Sequence, residues 1–179
     1  MDRLQKLRDW HAICAAQARY CRLLDSKDWD GLRDLMTEDY AVEVPNAPQT
    51  PDTVGRDNAL AHIQATVRGA TAVHQIHMPE IEIDGDQARA ICAIRERLVW
   101  EDGRTLTGYG YYHQGWVRQE GGWKLASLVL EHLQMDMEPD GWRLAVVDGV
   151  ETWFPDTPEH EGRGGIVFRY EPHQKDAAE

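Results

Sequence analysis

The sequence predicts an α+β fold in which N-terminal helices pack into the concave face of a curved antiparallel sheet. Two observations carry this expectation. Apolar residues first recur at helical spacing, and beyond His74 the period changes to two, with tight turns between long alternating runs. A chain of 179 residues is the size of one ordinary domain, so a single core must support whatever the protein does.

From Leu4 to Leu24, the residues Leu4, Leu7, Cys14, Ala18 and Cys21 recur every three, four or seven positions, which predicts a long helix with this stripe on the core. Asp28 is positioned to cap a short second helix through Trp29, Leu32, Leu35 and Met36, although Gly31 weakens it. Tyr40 to Val44 reads as a strand, ended by a loop with Pro45, Pro48 and Pro51. Gly55 to Asp57 introduces a third helix over Ala59 to Arg68 with Leu60, Ile63 and Val67 on one side. Ile81 and Ile83, the turn Asp84–Gly85–Asp86, and Ala88, Ala90, Cys92 and Ile94 then spell a hairpin. Turns at Glu101–Gly103 and Glu120–Gly122 divide the rest into long strands. Residues 1–137 form the expected domain. Residues 138–179, rich in Gly and Pro with Trp142, Trp153, Phe154, Val167 and Phe168 between, form an irregular C-terminal extension expected to dock on the domain or on a partner subunit.

Composition narrows the function classes. The formal net charge of −12 opposes nonspecific binding to nucleic acid or to an anionic membrane, leaving a small-molecule substrate or a protein partner. Three cysteines, Cys14, Cys21 and Cys92, form no CxxC pair, so neither a disulfide framework nor a zinc knuckle is indicated. The charged amino terminus does not read as a secretory signal, and no apolar run approaches membrane-spanning length, so a cytoplasmic protein is expected.

Alternation along the strands exposes chemically odd residues. One face of the strand ending at Trp100 reads Ala88, Ala90, Cys92, Ile94, Glu96, Leu98, so a lone carboxylate falls among apolar side chains. A carboxylate there must find a partner or take up a proton. His132 likewise follows Ala126, Leu128 and Leu130 on one face of the last strand. Between them run Tyr109 and Tyr111 on one face and Gly108, Gly110 and Tyr112 on the other, so one tyrosine face lines the concavity. His74, His77 and Glu80 resemble a metal triad by type, but residues three apart on a strand point to opposite sides, and no metal site is expected. Tyr20 and Asp25 flank the end of the first helix and share a side only if the helix loosens there.

The segments ARYCRLLDSKDWDGLRDLMTEDY, GRDNALAHI, VHQIHMPEIEIDGDQARA and EDGRTLTGYGYYHQGWVRQEGGWKL together resemble the SnoaL-like branch of the NTF2-like (cystatin-like) superfamily, in the layout of its scytalone and bile-acid dehydratases. The resemblance implies an NTF2-like cone and a cofactor-independent lyase, dehydratase-like, acting on a small hydrophobic hydroxylated or cyclic compound. It assigns His74 as the catalytic histidine, Asp25 and Tyr20 as its companions in the pocket, and Glu96 as the counterpart of a functional aspartate. His77 is the alternative partner of Asp25. His132 stands where the family commonly has an arginine, and with His77, Tyr109 and Tyr111 it is an expected substrate contact. In this scheme Glu96, held protonated by its apolar face, or His132 donates the proton that the leaving hydroxyl needs. The same scaffold also hosts isomerases, cyclases, binding proteins and dioxygenase small subunits, which stay open as alternatives. Self-association as a homodimer or higher oligomer is expected from the aromatic residues of the meander.

Overall fold

The structure, a computed structural model, describes residues 2–45 and 52–138, together with the backbone of 142–147, 150–155 and 167–168. Three helices, α1 (Arg3–Asp25), α2 (Trp29–Leu35) and α3 (Arg56–Thr66), pack against one open mixed sheet. Its strands are β1 (Met36–Glu43), β2 (Thr53–Val54), β3 (Ala70–Ile76), β4 (Glu80–Asp84), β5 (Gln87–Trp100), β6 (Thr105–Gln119), β7 (Gly122–Glu138), β8 (Trp142–Val147), β9 (Val150–Pro155) and β10 (Val167–Phe168). The long antiparallel meander β5-β6-β7 is the frame. The far edge of β5 is shared, with β4 along its first half and β3 along its second. The far edge of β7 is shared in the same way by β1, which runs parallel to it, and β8. Register shifts between Tyr109 and Gly110 and between Gly115 and Trp116 give the β6–β7 ladder two bulges, the usual device for bending a sheet.

The core lies between the helices and the inner face of this sheet, with Ile13, Leu32, Tyr40, Trp116 and Leu125 among its most buried side chains. Asp28 caps α2 by accepting the Gly31 N–H at 3.0 Å. Gly31 is there for space: a Cβ would lie 2.6 Å from Leu23 Cδ2 and 3.0 Å from the Asp28 carboxylate, so glycine lets the α1–α2 corner close without displacing either side chain. Lys27, at φ 58°, makes the turn between these helices and donates from Nζ to the Ala70 carbonyl at the start of β3.

Several expectations need correction. The buried side of α1 is Asp9, Ile13, Ala16, Gln17, Tyr20, Leu23 and Leu24, and Leu4 and Leu7 are exposed. Of the expected stripe, Cys21 alone is fully buried. Polar residues occupy inner positions because distant partners satisfy them: Gln17 donates to Gln114 Oε1 at 2.6 Å, and Asp9 accepts from Arg118, Trp123 and Gln5. His74 does not precede the sheet but lies inside β3, whose other inward residues, Ala70 and Ala72, carry too little apolar surface to mark a strand. The first strand begins four residues earlier than expected, at Met36. The C-terminal extension is not wholly irregular, since β8 pairs with β7 and β9 with β8. Pro48 and Pro51, and the side chains of the extension with their expected docking, lie outside the described residues. Among the described residues no helix is long and apolar enough to cross a membrane.

Asp9 makes a testable anchor between α1 and the open end of the meander. Its carboxylate is 2% exposed and receives two Arg118 nitrogens at 2.7 and 2.8 Å. Arg118→Met should destabilise the protein by about 2 kcal/mol in urea denaturation, because a buried carboxylate loses its strongest donor. Asp9→Asn in the same chain should recover part of that loss by removing the stranded charge.

Candidate functional site

The site forms where the C-terminal end of α1 meets the edge strand β3 and the inner face of the meander. Asp25, the last residue of α1, turns its carboxylate onto His74 and accepts three contacts from that one residue. The His74 backbone N–H lies 3.1 and 3.0 Å from the two carboxylate oxygens, and ring Nδ1 lies 2.6 Å from Oδ1. The backbone contact answers a need of the fold, since the outer N–H groups of an edge strand have no neighbouring strand to accept them. The ring contact follows from it. With a carboxylate facing Nδ1, that nitrogen carries the proton and Nε2 is left as the working atom.

Nε2 points at Glu96, which stands directly opposite His74 in the β3–β5 register, with Oε2 at 3.4 Å. The other oxygen, Oε1, pairs with His132 Nε2 at 2.8 Å. Asp25, His74, Glu96 and His132 thus form one alternating chain of carboxylates and imidazoles. Its last three members are buried, and the Asp25 side chain keeps 26% exposure.

Electrostatics within the chain reverse one expectation. Burial pushes the Glu96 pKa upward, but hydrogen bonds from His132 and His74 and their positive charge outweigh it and hold Glu96 down at about 2. Glu96 is therefore ionised, not held protonated by its apolar face. Burial also works against the charged form of His74, but the Asp25 and Glu96 hydrogen bonds together prevail and lift its pKa to about 9. His74 rests as an imidazolium between two carboxylates.

Three tyrosines close the chain from the core side. Tyr20 packs edge-on against Tyr112 with ring centroids 6.2 Å apart. Burial, first of several causes, raises the pKa of each of the three phenols, so they stay protonated and able to donate. Tyr40 was not singled out by sequence reasoning, whereas Tyr112, on one face with Gly108 and Gly110, stood as the alternative inner tyrosine, and that is the face the structure buries. The structure turns Tyr109 and Tyr111 to the outer face of the sheet, 38% and 39% exposed, where Arg95 stacks on Tyr109. His77 is exposed too, and it is His74 that contacts Asp25. Those three expected substrate contacts are not brought to the site, whereas Tyr20, Asp25, His74, Glu96 and His132 are. An open cleft of about 730 Å³ leads to Asp25 and His74 between α1 and β3, lined also by Ala18, Cys21, Arg22, Ser26, Gln75 and Ile76. Arg22, at this rim, was not anticipated. Among the described residues no group of three or more His, Cys, Asp or Glu is arranged to hold a metal ion.

A helical layer over a bent sheet, with a buried carboxylate–imidazole chain between them, defines a small α+β domain built around an interior site. The chain belongs to the SnoaL-like domain family, whose model matches residues 5–129. Solved structures share the fold. A Mycobacterium tuberculosis protein of unknown function is 26% identical over 72% of this chain and 73% of its own, with a TM-score of 0.63. A candidate scytalone dehydratase from Novosphingobium aromaticivorans is 19% identical over 73% of this chain and 88% of its own, TM-score 0.67. A hexachlorocyclohexane dehydrochlorinase of LinA type 3 from Novosphingobium barchaimii is 18% identical over 77% and 95%, TM-score 0.66.

The two shifted groups set a pH window for stability. His74, raised from 6.5 to about 9, contributes fully below pH 6.5, and its contribution is lost as pH rises through 9. Glu96, lowered from 4.5 to about 2, contributes fully above pH 4.5, and its contribution is lost as pH falls through 2. The melting temperature of the wild type should therefore fall more steeply between pH 6.5 and 9 than that of His74→Asn, and parallel curves would contradict the assignment.

Proposed function

We propose that the protein is a cofactor-independent lyase of the dehydratase kind, acting on a small hydrophobic hydroxylated or cyclic compound by proton transfer at His74. The observation that carries this reading is the Asp25–His74 contact, which commits Nδ1 as a donor and leaves Nε2 to exchange protons. Support also comes from the fold neighbours, since dehydratase and dehydrochlorinase are both names for eliminations.

The chemistry balances with the residues at hand. Neutral His74 takes a proton from carbon at Nε2, and the resulting imidazolium sits against ionised Glu96, whose charge stabilises it. Where that carbon adjoins a carbonyl, the oxyanion needs a donor, and the Tyr20 phenol, kept protonated by burial, supplies one. The carbon–oxygen bond then breaks as Nε2 returns its proton to the leaving hydroxyl, which departs as water. The enzyme ends with the protons it began with, and no step moves a hydride or a single electron.

Because His74 rests protonated, its base form is the minority species at neutral pH. With hydroxylated cyclic compounds as test substrates, kcat/KM should rise with pH toward about 9, the free-enzyme value for His74. Asp25→Asn removes one of the two groups that hold that value up, so the rising limb should move to lower pH while the maximal rate falls by roughly 10²- to 10⁴-fold. An unmoved limb and an undiminished rate would dismiss the dyad. Mass analysis decides the reaction: loss of one water supports elimination, whereas a product isobaric with its substrate identifies an isomerase using the same base.

A further inference from the structure

We propose that Gly108 and Gly110 form a side-chain-free track across the middle strand β6, over which Glu96 of β5 and His132 of β7 meet, and that Gly108 is thereby the positioning residue of one continuous proton relay, Asp25–His74–Glu96–His132. The proposal deepens the lyase reading and rests on it in one respect, that the site moves protons.

Glu96 and His132 stand on strands that are not neighbours. Two strand spacings separate them by roughly 9–10 Å, and a middle-strand side chain pointing to the same face ordinarily fills that gap. Here the register places Gly108 opposite Glu96 and Gly110 opposite His132, so both positions on the diagonal between the two side chains are empty. Backbone conformation does not demand these glycines, since neither is among the positive-φ residues. Glycine inside a strand weakens it, so two of them on one face need another reason.

Space supplies the reason. A Cβ at Gly108 would lie 2.7 Å from Glu96 Oε1, 2.9 Å from its Cγ and 3.2 Å from its Cδ. The obstructed atoms are those of the carboxylate arm that reaches His132 at 2.8 Å, so any side chain at 108 pushes Glu96 off its partner. A Cβ at Gly110 would lie 1.9 Å from the Glu131 carbonyl oxygen and 2.9 Å from His132 Cα, which are backbone atoms that cannot swing away. Gly110 belongs to the bulge itself, and Gly108 belongs to the relay.

The ionisable groups around Glu96 come from every packed element: Tyr20 from α1, His74 from β3, Tyr112 from β6 and His132 from β7, with Asp25 one step further along. Glu96 is the one member that contacts both histidines. A change at Glu96 must therefore reach both, and a change at Gly108 must reach His132 through the displaced Oε1 arm.

Imidazole NMR titration of the full chain tests this without a substrate, with signals assigned through His74→Asn and His132→Asn. Glu96→Gln, which keeps the shape and removes the charge, should lower the titration midpoint of His74 by about one pH unit or more and should also move the ring resonances of His132, its partner at 2.8 Å. Gly108→Ala should move the His132 resonances in the same way although it leaves every ionisable residue in place. Wild-type His132 resonances in folded Gly108→Ala, or a Glu96→Gln effect confined to one histidine, would overturn the relay. Should Gly108→Ala not fold, Glu96→Asp in the same chain must restore folding by withdrawing the obstructed arm, and failure of that double variant also overturns the proposal. A response of both histidines in a protein that eliminates nothing would keep the relay and discard the lyase reading. Elimination that persists with uncoupled histidines would do the reverse.

Discussion

A carboxylate at the C-terminal end of a helix sits against the negative pole of the helix dipole, an unfavourable place for an unpaired anion. Asp25 occupies that place at the end of α1, and three donor contacts from His74 compensate it. The contact fastens α1 to the edge strand β3, and Lys27 fastens the same strand a few residues earlier through the Ala70 carbonyl. These two pins fix the angle at which the long helix crosses the sheet, and hence the width of the cleft between α1 and β3. The orientation of His74 is therefore inherited from the fold: the group that satisfies the strand edge is the group that sets the tautomer.

From His74 inward, each contact constrains the next. Nδ1 faces Asp25, so Nε2 faces Glu96; Glu96 uses one oxygen for His74 and the other for His132. A buried carboxylate alone would tend to take up a proton, and a buried imidazole alone would tend to lose one. Placed in alternation, each reverses the other's tendency, which is why Glu96 stays ionised and His74 stays charged. Such an arrangement is poor at adding net stability, because desolvation offsets much of the attraction, but it penalises the loss of any single member heavily. It holds a proton inside the protein, which a purely apolar core could not do.

The sequence displays the parts of this chain more readily than their meeting. Strand alternation puts Glu96 and His132 on apolar faces, and both are buried inward as read. Their pairing is invisible to alternation because it spans a third strand and depends on which residues are missing from it. The buried face of α1 is hidden from local pattern for a related reason. Asp9 and Gln17 look like solvent residues until Arg118 and Gln114, about a hundred positions away, are folded against them. Leu4 and Leu7 then carry the misleading apolar signal on the exposed side. The tyrosine face of β6 could not be chosen from its own sequence, since Tyr109 and Tyr111 compete with Tyr112 at opposite parity. Burial of Gly108, Gly110, Gln114 and Trp116 with Tyr112 settles it.

Glycine is where local propensity and the finished structure disagree most usefully. Gly31 in a short helix and Gly108 in a long strand both lower the local preference for the element that contains them. In each case the opposing group explains the conflict: the Leu23 side chain and the Asp28 capping carboxylate over Gly31, the Glu96 carboxylate over Gly108. The two cases differ in what the space serves. At Gly31 it brings two helices together, a packing need that many side-chain combinations could meet. At Gly108 it admits a charged arm on its way to a partner two strands away. A sheet built for stability alone would place a β-branched residue there. Where a sequence gives up strand preference at one inward position next to a buried charge, the charge is the reason, and the pairing it makes across the gap belongs to what the fold was shaped to hold.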